Sequence, residues 1–549
     1  MSNDFTYQTH QVLNQPEPLC EYNAYSSDRI LTHYVDQFAG SWGEGRLVQY
    51  GYKVGHELLD AGFAANKYKP ELESHDRFGR RIDQVNYHPA YHELMRAAIE
   101  IGHHSIPWKE AQPGAHVVRA AIEYLHYQAD PGSGCPLTMT FSAVPAIKLQ
   151  ENIAKEWLPK ITANIYDSRN IPFFEKEGLT IGMAMTEKQG GSDVRANTSR
   201  AKALDQAGPG EAYLLTGHKW FCSAPMCDAF LVLAQTNQGL SCFLLPRWKP
   251  DGEKNSLYIQ RLKNKMGNVS NASSEIEFRN AFAWLIGNEG KGVKTILEMV
   301  SMTRFDCMVG SAALMGLATA QAIHHTGGRD AFGKNLHQQP LMQNVLADLA
   351  LESEAALAIS MRLAKALDNL DSSRESQLIR LGTAIGKYWV CKRASLHTAE
   401  AMECIGGVAA IEENVLARLY RESPVNAIWE GSGNIQCLDV ARAILKEPKV
   451  LASFMAELKL AQGKYQLFDD KLNEIKQEIN TPMQESQLRA TVEKLALVWQ
   501  ASALIQFSED FIAETFINNR LNSNASRMLG TLDQSTPFER IIQRARPRV

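Results

Sequence analysis

Three short segments hold the side chains best suited to chemistry. The first is "NAIWEGSGNIQCLDVARAIL", Asn426 to Leu445, where a lone carboxylate, Glu430, stands between Trp429 and Gly431. Read locally, Ser432 is an N-cap, and Ile435, Leu438, Ala441 and Leu445 recur at helical spacing as a core-facing stripe. Glu430 then lies just outside the helix start, where the helix dipole favours a negative charge. "GSGNIQ" also supplies two glycines of a GxGxxG fingerprint, but Gln436 stands in place of the third and no strand–helix alternation surrounds it.

The second segment is "MTEKQGGSD", Met185 to Asp193. Gly190 and Gly191 let backbone N–H groups approach an anion and Ser192 adds a hydroxyl, which describes a phosphate cradle or a plain turn. The third, "GHKWFCSAP", sets Trp220 and Phe221 beside Ser223 and suits a flat heterocycle or a turn in a β core. Arg329 in "GGRDAFGK" and the pair Gly406–Gly407 in "ECIGG" are weaker signals of the same kind. Metal chemistry has no support: there is no HExxH, and His103–His104 and His324–His325 are adjacent pairs that point apart on a helix.

The elements that must position these residues fall into four blocks. Residues 1–180 read as helical after a polar arm, with apolar residues three and four apart in "HELMRAAIEI" and "AHVVRAAIEYLHYQA". Residues 181–290 change texture to short β-branched and aromatic runs separated by Gly, Pro, Asn and Asp, the pattern of a small all-β domain. Helical periodicity returns over 291–445 and again over 446–549, which ends in an arginine-rich tail. The fold class is therefore mainly α with a central β domain. The 549 residues, 45% apolar and 21% charged, have room for several domains, and a net charge of −4 argues against a uniformly basic nucleic-acid binder. Nine dispersed cysteines without CxxC pairs read as buried, reduced thiols of a cytoplasmic protein. "MSNDFTYQTH" has no apolar signal region, and the apolar run from Met308 to Ile323 is rich in small residues and reads as an interior helix.

In their order, "MTEKQGGSD", "GHKWFCS", Thr303–Arg304, "RDAFG", "IGG", "RLYRE" and "IWEGSGNIQ" resemble the acyl-CoA dehydrogenase family over roughly residues 40–445. The lysine in "TEKQGGSD", the stretch "GNVSNAS" (Gly267 to Ser273) and the extra C-terminal helical block resemble its AidB-type branch, flavoproteins of the bacterial response to DNA alkylation. The resemblance implies a helical domain, a barrel-like β domain and a helical bundle, with FAD between the last two. It makes Glu430 the base that removes the α-proton of an acyl-CoA thioester while flavin N5 takes the β-hydride. The Glu430 N–H and a ribityl hydroxyl would be the donors to the thioester oxygen. Some relatives carry the base just before the arginine matching Arg304, but Thr303 occupies that place here.

The same resemblance sets Met185 and Thr186 along the isoalloxazine edge, Gly191 and Ser192 at the pyrophosphate, Phe221 over a flavin face and Ser223 near N5. Trp429 would narrow the acyl pocket, Gly431 and Asn434 would belong to the cofactor site, and Arg329 would reach the FAD of a neighbouring subunit in a homotetramer. Pro340, Glu403 and Ala409–Ala410 depart from the family pattern at the shared cofactor site.

Three functions follow from this reading. One is a conventional dehydrogenase of fatty-acid or branched-chain catabolism. Another is a double-stranded-DNA-binding protein that protects against alkylation and keeps weak dehydrogenase activity. The third is an acyl-CoA oxidase, which oxygen consumption would separate from both. The last block tips the balance to the second. Within 520–549, Arg520, Arg527, Arg540, Arg544, Arg546 and Arg548 face only Asp533 and Glu539, a local excess of +4 on a chain of net −4.

Overall fold

The computed structural model describes residues 10–548, except 480, 482, 524, 525 and 527. The chain is mainly helical around one central β domain. The helical reading of the first block lacked a hairpin, β1 (Glu71–His75) and β2 (Arg81–Asn86). Its turn is built by Asp76, whose carboxylate accepts the Phe78 and Arg80 N–H groups, and by Gly79 at φ 80°.

The β domain comprises β3 (Ile181–Ala184), β4 (Arg200–Ala203), β5 (Ala212–Ser223), β6 (Ala229–Thr236), β7 (Gly239–Pro246), β8 (Leu257–Leu262) and β9 (Ser273–Ile286). The order is β3-β6-β4-β5-β9-β7 with β8 on β9, and pairing of β6 with β7 closes the sheet on itself. The long antiparallel pair β5–β9 carries Ser223 opposite Ser273, and its register shifts between Lys219 and Cys222. A bulge re-aims side chains locally. Here it leaves Lys219 and Cys222 buried and Phe221, between them, 45% exposed.

The bundle is built from α1 (Ala115–Ala129), α2 (Pro131–Lys148), α3 (Gly292–Gly327), α4 (Pro340–Leu367) and α5 (Ser373–Ile405), followed by the short α6 (Val415–Glu422) and by α7 (Gly433–Lys446). Helix α3 is long and apolar enough to cross a membrane, yet 78% of its most apolar window is buried within the fold. Small residues allow that burial: a Cβ on Gly316 would meet the Tyr124 hydroxyl at 1.9 Å, and one on Gly310 would meet the Tyr127 ring at 2.5 Å.

The C-terminal block continues through α8 (Pro448–Lys459) and α9 (Leu488–Phe507) to α10 (Phe538–Ala545). It shares one core with the bundle. The Trp499 indole fills a niche over Gly382 and Gly386 of α5, where added Cβ atoms would meet it at 3.0 and 3.5 Å. All nine cysteines are free; seven are buried, whereas Cys20 is exposed and Cys135 half-buried.

Candidate active site

Glu430 sits in the turn between α6 and α7 with φ 56°, a left-handed conformation that a side chain with a Cβ rarely adopts. A set of donors holds the turn there by its carbonyls. Lys387, buried in α5, donates to the C=O of Asn426 (3.0 Å), Trp429 (2.8 Å) and Gly431 (2.8 Å). Arg304 Nε donates to the Glu430 C=O at 2.9 Å, and the buried Gln436 amide donates to the C=O of Glu430 and Gly431. Gly431 has φ 98°, and a Cβ there would lie 2.7 Å from Gln436 Nε2. Gln436 at the third fingerprint position is thus a loop clamp and not a failed dinucleotide motif.

With its carbonyl engaged from behind, Glu430 turns its carboxylate to Thr303, whose hydroxyl donates to Oε2 at 2.9 Å. Nearby cations are taken up elsewhere: Arg304 Nη1 pairs with Asp439 at 2.8 Å, and Lys387 is taken up by the three carbonyls. Among the described residues, the Glu430 N–H has no hydrogen-bond acceptor. Trp429 is held by its Nε1–H, which donates to Asn426 Oδ1 at 3.0 Å.

The expected core face of α7 is corrected. Its buried residues are Gly433, Gln436, Cys437, Val440, Ala441, Ala443 and Ile444. Leu438 and Leu445 are exposed, Leu445 by 70%, and Ile435 is half-buried. Leucines at the expected spacing drew the stripe about one residue away from the true face, which also buries a polar clamp. Ser432 holds the N-cap position by its backbone (ψ 170°), but its side chain makes no capping bond.

The loop after β3 is folded around a buried acid. Glu187 pairs with the buried Lys219 at 2.8 Å and accepts the Thr198 N–H (2.7 Å), the Thr198 hydroxyl and the Ser199 N–H. Burial opposes the Glu187 charge, but Lys219 and these donors outweigh it and hold the carboxyl well below the usual range. This anchor leaves Met185 and Thr186 half-buried and Gly191 and Ser192 exposed. A Cβ on Gly191 would meet Thr186 Oγ1 at 2.5 Å, so any larger residue would have to displace that side chain. Trp220 N donates to the Thr186 C=O at 2.8 Å and ties this loop to the "KWF" bulge. Lys263 Nζ lies 3.2 Å from the Trp220 ring centroid.

A third loop, "KMGNVSNAS", is latched to the helices. Both carboxylate oxygens of Glu422, on α6, accept the Asn268 N–H at 2.7 Å. The Ser270 hydroxyl donates to Asp130 (2.7 and 2.9 Å), and Asn268 Nδ2 donates to the Pro131 C=O. A Cβ on Gly267 would strike the Arg421 C=O at 2.7 Å. Burial pushes the Glu422 carboxyl up to about 7. The latch delivers Ser273 to Ser223, the two hydroxyls being 3.1 Å apart.

Comparison with known proteins assigns the chain to a family. Residues 182–281 and 290–445 match the acyl-CoA dehydrogenase middle and C-terminal domains, and residues 14–168 match the adaptive response protein AidB N-terminal domain. The putative acyl-CoA dehydrogenase AidB of Escherichia coli K12 is 44% identical over 520 residues, covering 94% of this chain and 95% of that protein. The chain belongs to the acyl-CoA dehydrogenase family. It is an FAD-dependent oxidoreductase of the acyl-CoA dehydrogenase type. Two solved structures share the fold. Caenorhabditis elegans ACDH-11 in complex with C11-CoA is 24% identical, with TM-score 0.84 and 93% of each chain covered. A Bacillus anthracis acyl-CoA dehydrogenase complexed with FAD is 16% identical, with TM-score 0.67, covering 90% of this chain and 86% of that one.

The residues present fit the family's flavin. The solvent-exposed backbone at Gly191, the exposed Phe221 ring and the hydroxyls of Thr186 and Ser223 offer an apolar plate with polar edges. Asn434 is exposed at the start of α7 and accepts from Arg489 Nε at 2.8 Å, which brings the C-terminal block to the edge of the site. Arg329 lies apart from this group, on the loop after α3, and donates to the Asn14 C=O at 2.9 Å. Lys387 and Lys265 were missed from sequence, and Thr303 and Gln436 were named there without their supporting roles; a lone lysine inside the apolar run "LGTAIGKYWV" was the available signal for Lys387.

The tail arginines do not form the expected basic patch. Arg520 is paired with Asp348 and Glu352, and Arg544 with Glu354 (2.8 Å) and Glu509 (2.6 Å), so neither is available to a phosphate. Arg540 lies 3.8 Å over the Phe511 ring and 3.4 Å from Glu509, and Arg546 donates to the His337 ring. Arg548 is exposed, and Arg527 lies outside the described residues. Composition registered an arginine excess in the tail, but the matching acids are on α4 and in the loop after α9, out of sight of a local count.

Proposed function

We propose that Glu430 takes the α-proton of an acyl-CoA thioester. The observation that carries this reading is the turn itself: a carboxylate in a strained backbone, held by Thr303, with its N–H unengaged and the nearby cations taken up elsewhere. A carboxylate locked to a cation is a poorer proton acceptor. The unengaged Glu430 N–H is a donor for the thioester oxygen as enolate charge develops. Trp429, pinned by Asn426, borders the acyl chain. Thr186, Gly191, Ser192, Phe221 and Ser223 would hold the flavin, which accepts the β-hydride when bound. The likeness to a C11-CoA complex supports an acyl-CoA substrate.

The test is anaerobic mixing of the purified yellow protein with a panel of acyl-CoA esters. Bleaching of the flavin by at least one ester is expected, and Glu430→Gln should lose it by about 10²–10⁴-fold while keeping FAD. Undiminished bleaching in the variant would move the base elsewhere.

The chain further binds double-stranded DNA and protects against alkylation damage, in a cytoplasmic homotetramer. Support for protection comes from the AidB relative and the adaptive-response N-terminal match. Assembly is supported by apolar side chains left in water, Phe332 at 99% and Leu341 at 83% exposure. Of the tail arginines, Arg548 and Arg540 are the ones left exposed, although Arg540 also meets Glu509, and they are the candidates for phosphate contacts. Two contacts predict a slope of log affinity against log salt of roughly −2 per engaged subunit. Anisotropy titration of duplex DNA, with Arg540→Ala/Arg548→Ala in parallel, measures it. Absence of wild-type binding at low salt would leave the conventional dehydrogenase reading.

A further inference from the structure

The chemistry above gives no task to the latched loop "KNKMGNVSNASS". Its buried end carries a lysine that no acid neutralises directly. Lys265 Nζ donates to Ser273 Oγ at 2.9 Å and to the Asn271 C=O at 2.9 Å, with Asn268 Oδ1 at 3.5 Å. The neighbouring Lys263 is different: it pairs with Glu275 at 2.7 Å and covers the Trp220 ring.

We propose that Lys265 is a positioning residue for the flavin, orienting the Ser273–Ser223 hydroxyl pair and placing positive charge behind it. This rests on the reading that Ser223 faces the isoalloxazine. An ammonium has donors and no acceptor, so Ser273 Oγ must accept from Lys265. Its single proton is then directed to Ser223 Oγ, 3.1 Å away, which leaves the Ser223 proton for the flavin or for the Cys135 sulfur beside it. A chain polarised in one direction by a cation donates more strongly at its far end.

The groups facing Lys265 leave its charge available to this chain. Asp130 already accepts from Ser270, Ser133 and Asn66, and Glu422 accepts from Asn268 N. Burial pushes the Cys135 thiol up to about 11, so it is neutral. Burial lowers Lys265 to about 8, while Cys135, Glu422 and Asp130 oppose that shift, so the amine is still mainly protonated at neutral pH. A cavity of about 150 Å³ lined in part by Lys69, Asn264 and Lys265 lies beside it. The loop segment that sets this branch apart thereby becomes an electrostatic support for the cofactor.

The test is the reduction potential of the FAD-loaded protein, read by equilibration with a reference dye. Removing the charge with Lys265→Met should disfavour the negative charge that reduction places on the isoalloxazine. The ratio of oxidised to reduced flavin at fixed dye potential should rise about tenfold, the scale of one charge-assisted hydrogen bond. Lys265→Arg should restore the wild-type value, and Ser273→Ala, which keeps the lysine, should shift the potential in the same direction as Lys265→Met. A lysine that merely pins the loop would lower FAD affinity and leave the potential unmoved; an unchanged potential in Lys265→Met overturns the proposal. If that variant fails to fold or load, an unchanged potential in Ser273→Ala overturns it equally. A wild-type protein that takes up no FAD would instead sink the underlying reading of the site.

Discussion

Glu430 and Arg544 are both charged side chains set in place by packing, and the fold treats them in opposite ways. Arg544 bonds Glu354 through two nitrogens and Glu509 through a third. Glu430 receives one hydroxyl from Thr303 and no cation, while the carbonyl behind it is gripped by Arg304 and Gln436. In the tail, packing consumes charge; in the turn, it consumes the backbone and leaves the charge free. A count of charges along a sequence cannot separate these cases, because what matters is which partner the tertiary fold brings.

The comparison breaks first if tail arginines prove dispensable to stability. Arg520→Ala should destabilise the protein by about 3–5 kcal/mol, because it leaves the buried Asp348 without its paired cation, while Glu352 keeps Arg393. Arg548→Ala, at an exposed position, should stay within about 0.5 kcal/mol. Denaturant unfolding of the two variants checks both, and equal losses would erase the distinction.

A smaller effect sharpens the contrast through pH. Burial raises the folded-state Glu422 carboxyl to about 7, against about 4.5 in the unfolded chain. Between those values the folded state binds the extra proton, so this group's contribution declines as pH rises from 4.5 to 7 and is level above. Wild type should therefore lose up to about 3 kcal/mol relative to Glu422→Gln across that window. Parallel unfolding curves at pH 5 and 7.5 measure the difference; a constant gap between the two proteins would refute it.

The smallest effect concerns Thr303. Thr303→Val keeps the shape and removes the bond to Glu430 Oε2. With the carboxylate free to rotate, flavin bleaching by acyl-CoA should slow about tenfold while FAD content is kept. Stopped-flow absorbance on the two proteins reads this, and equal rates would mean that the turn alone orients the Glu430 carboxylate.

Much of the architecture was legible because it rests on local periodicity. The change from helical spacing to β-branched runs near Ile181 reflects what each element must bury. The motif residues were legible as types, but their supports were not. Lys387, Arg304 and Gln436 reach the Glu430 turn from separate elements, and no local pattern links them. The stripe drawn on α7 failed because exposed leucines imitate a core face while a buried glutamine interrupts the real one. The hairpin at 71–86 was missed because its residues are mostly polar and lie between strongly helical neighbours.

The niche for Trp499 on α5 has a consequence for how the molecule comes apart. Gly382 and Gly386 present bare backbone to an indole from the last block, and the same helix supplies Lys387 to the Glu430 turn. A chain ending after α7 would leave that groove open to water beside the residue that shapes the Glu430 turn. The added block is therefore no detachable appendage. Because the two share one core, it should melt as one cooperative unit with the bundle, and an injury to its interior, however distant in sequence, should surface as a protein that lets go of its cofactor.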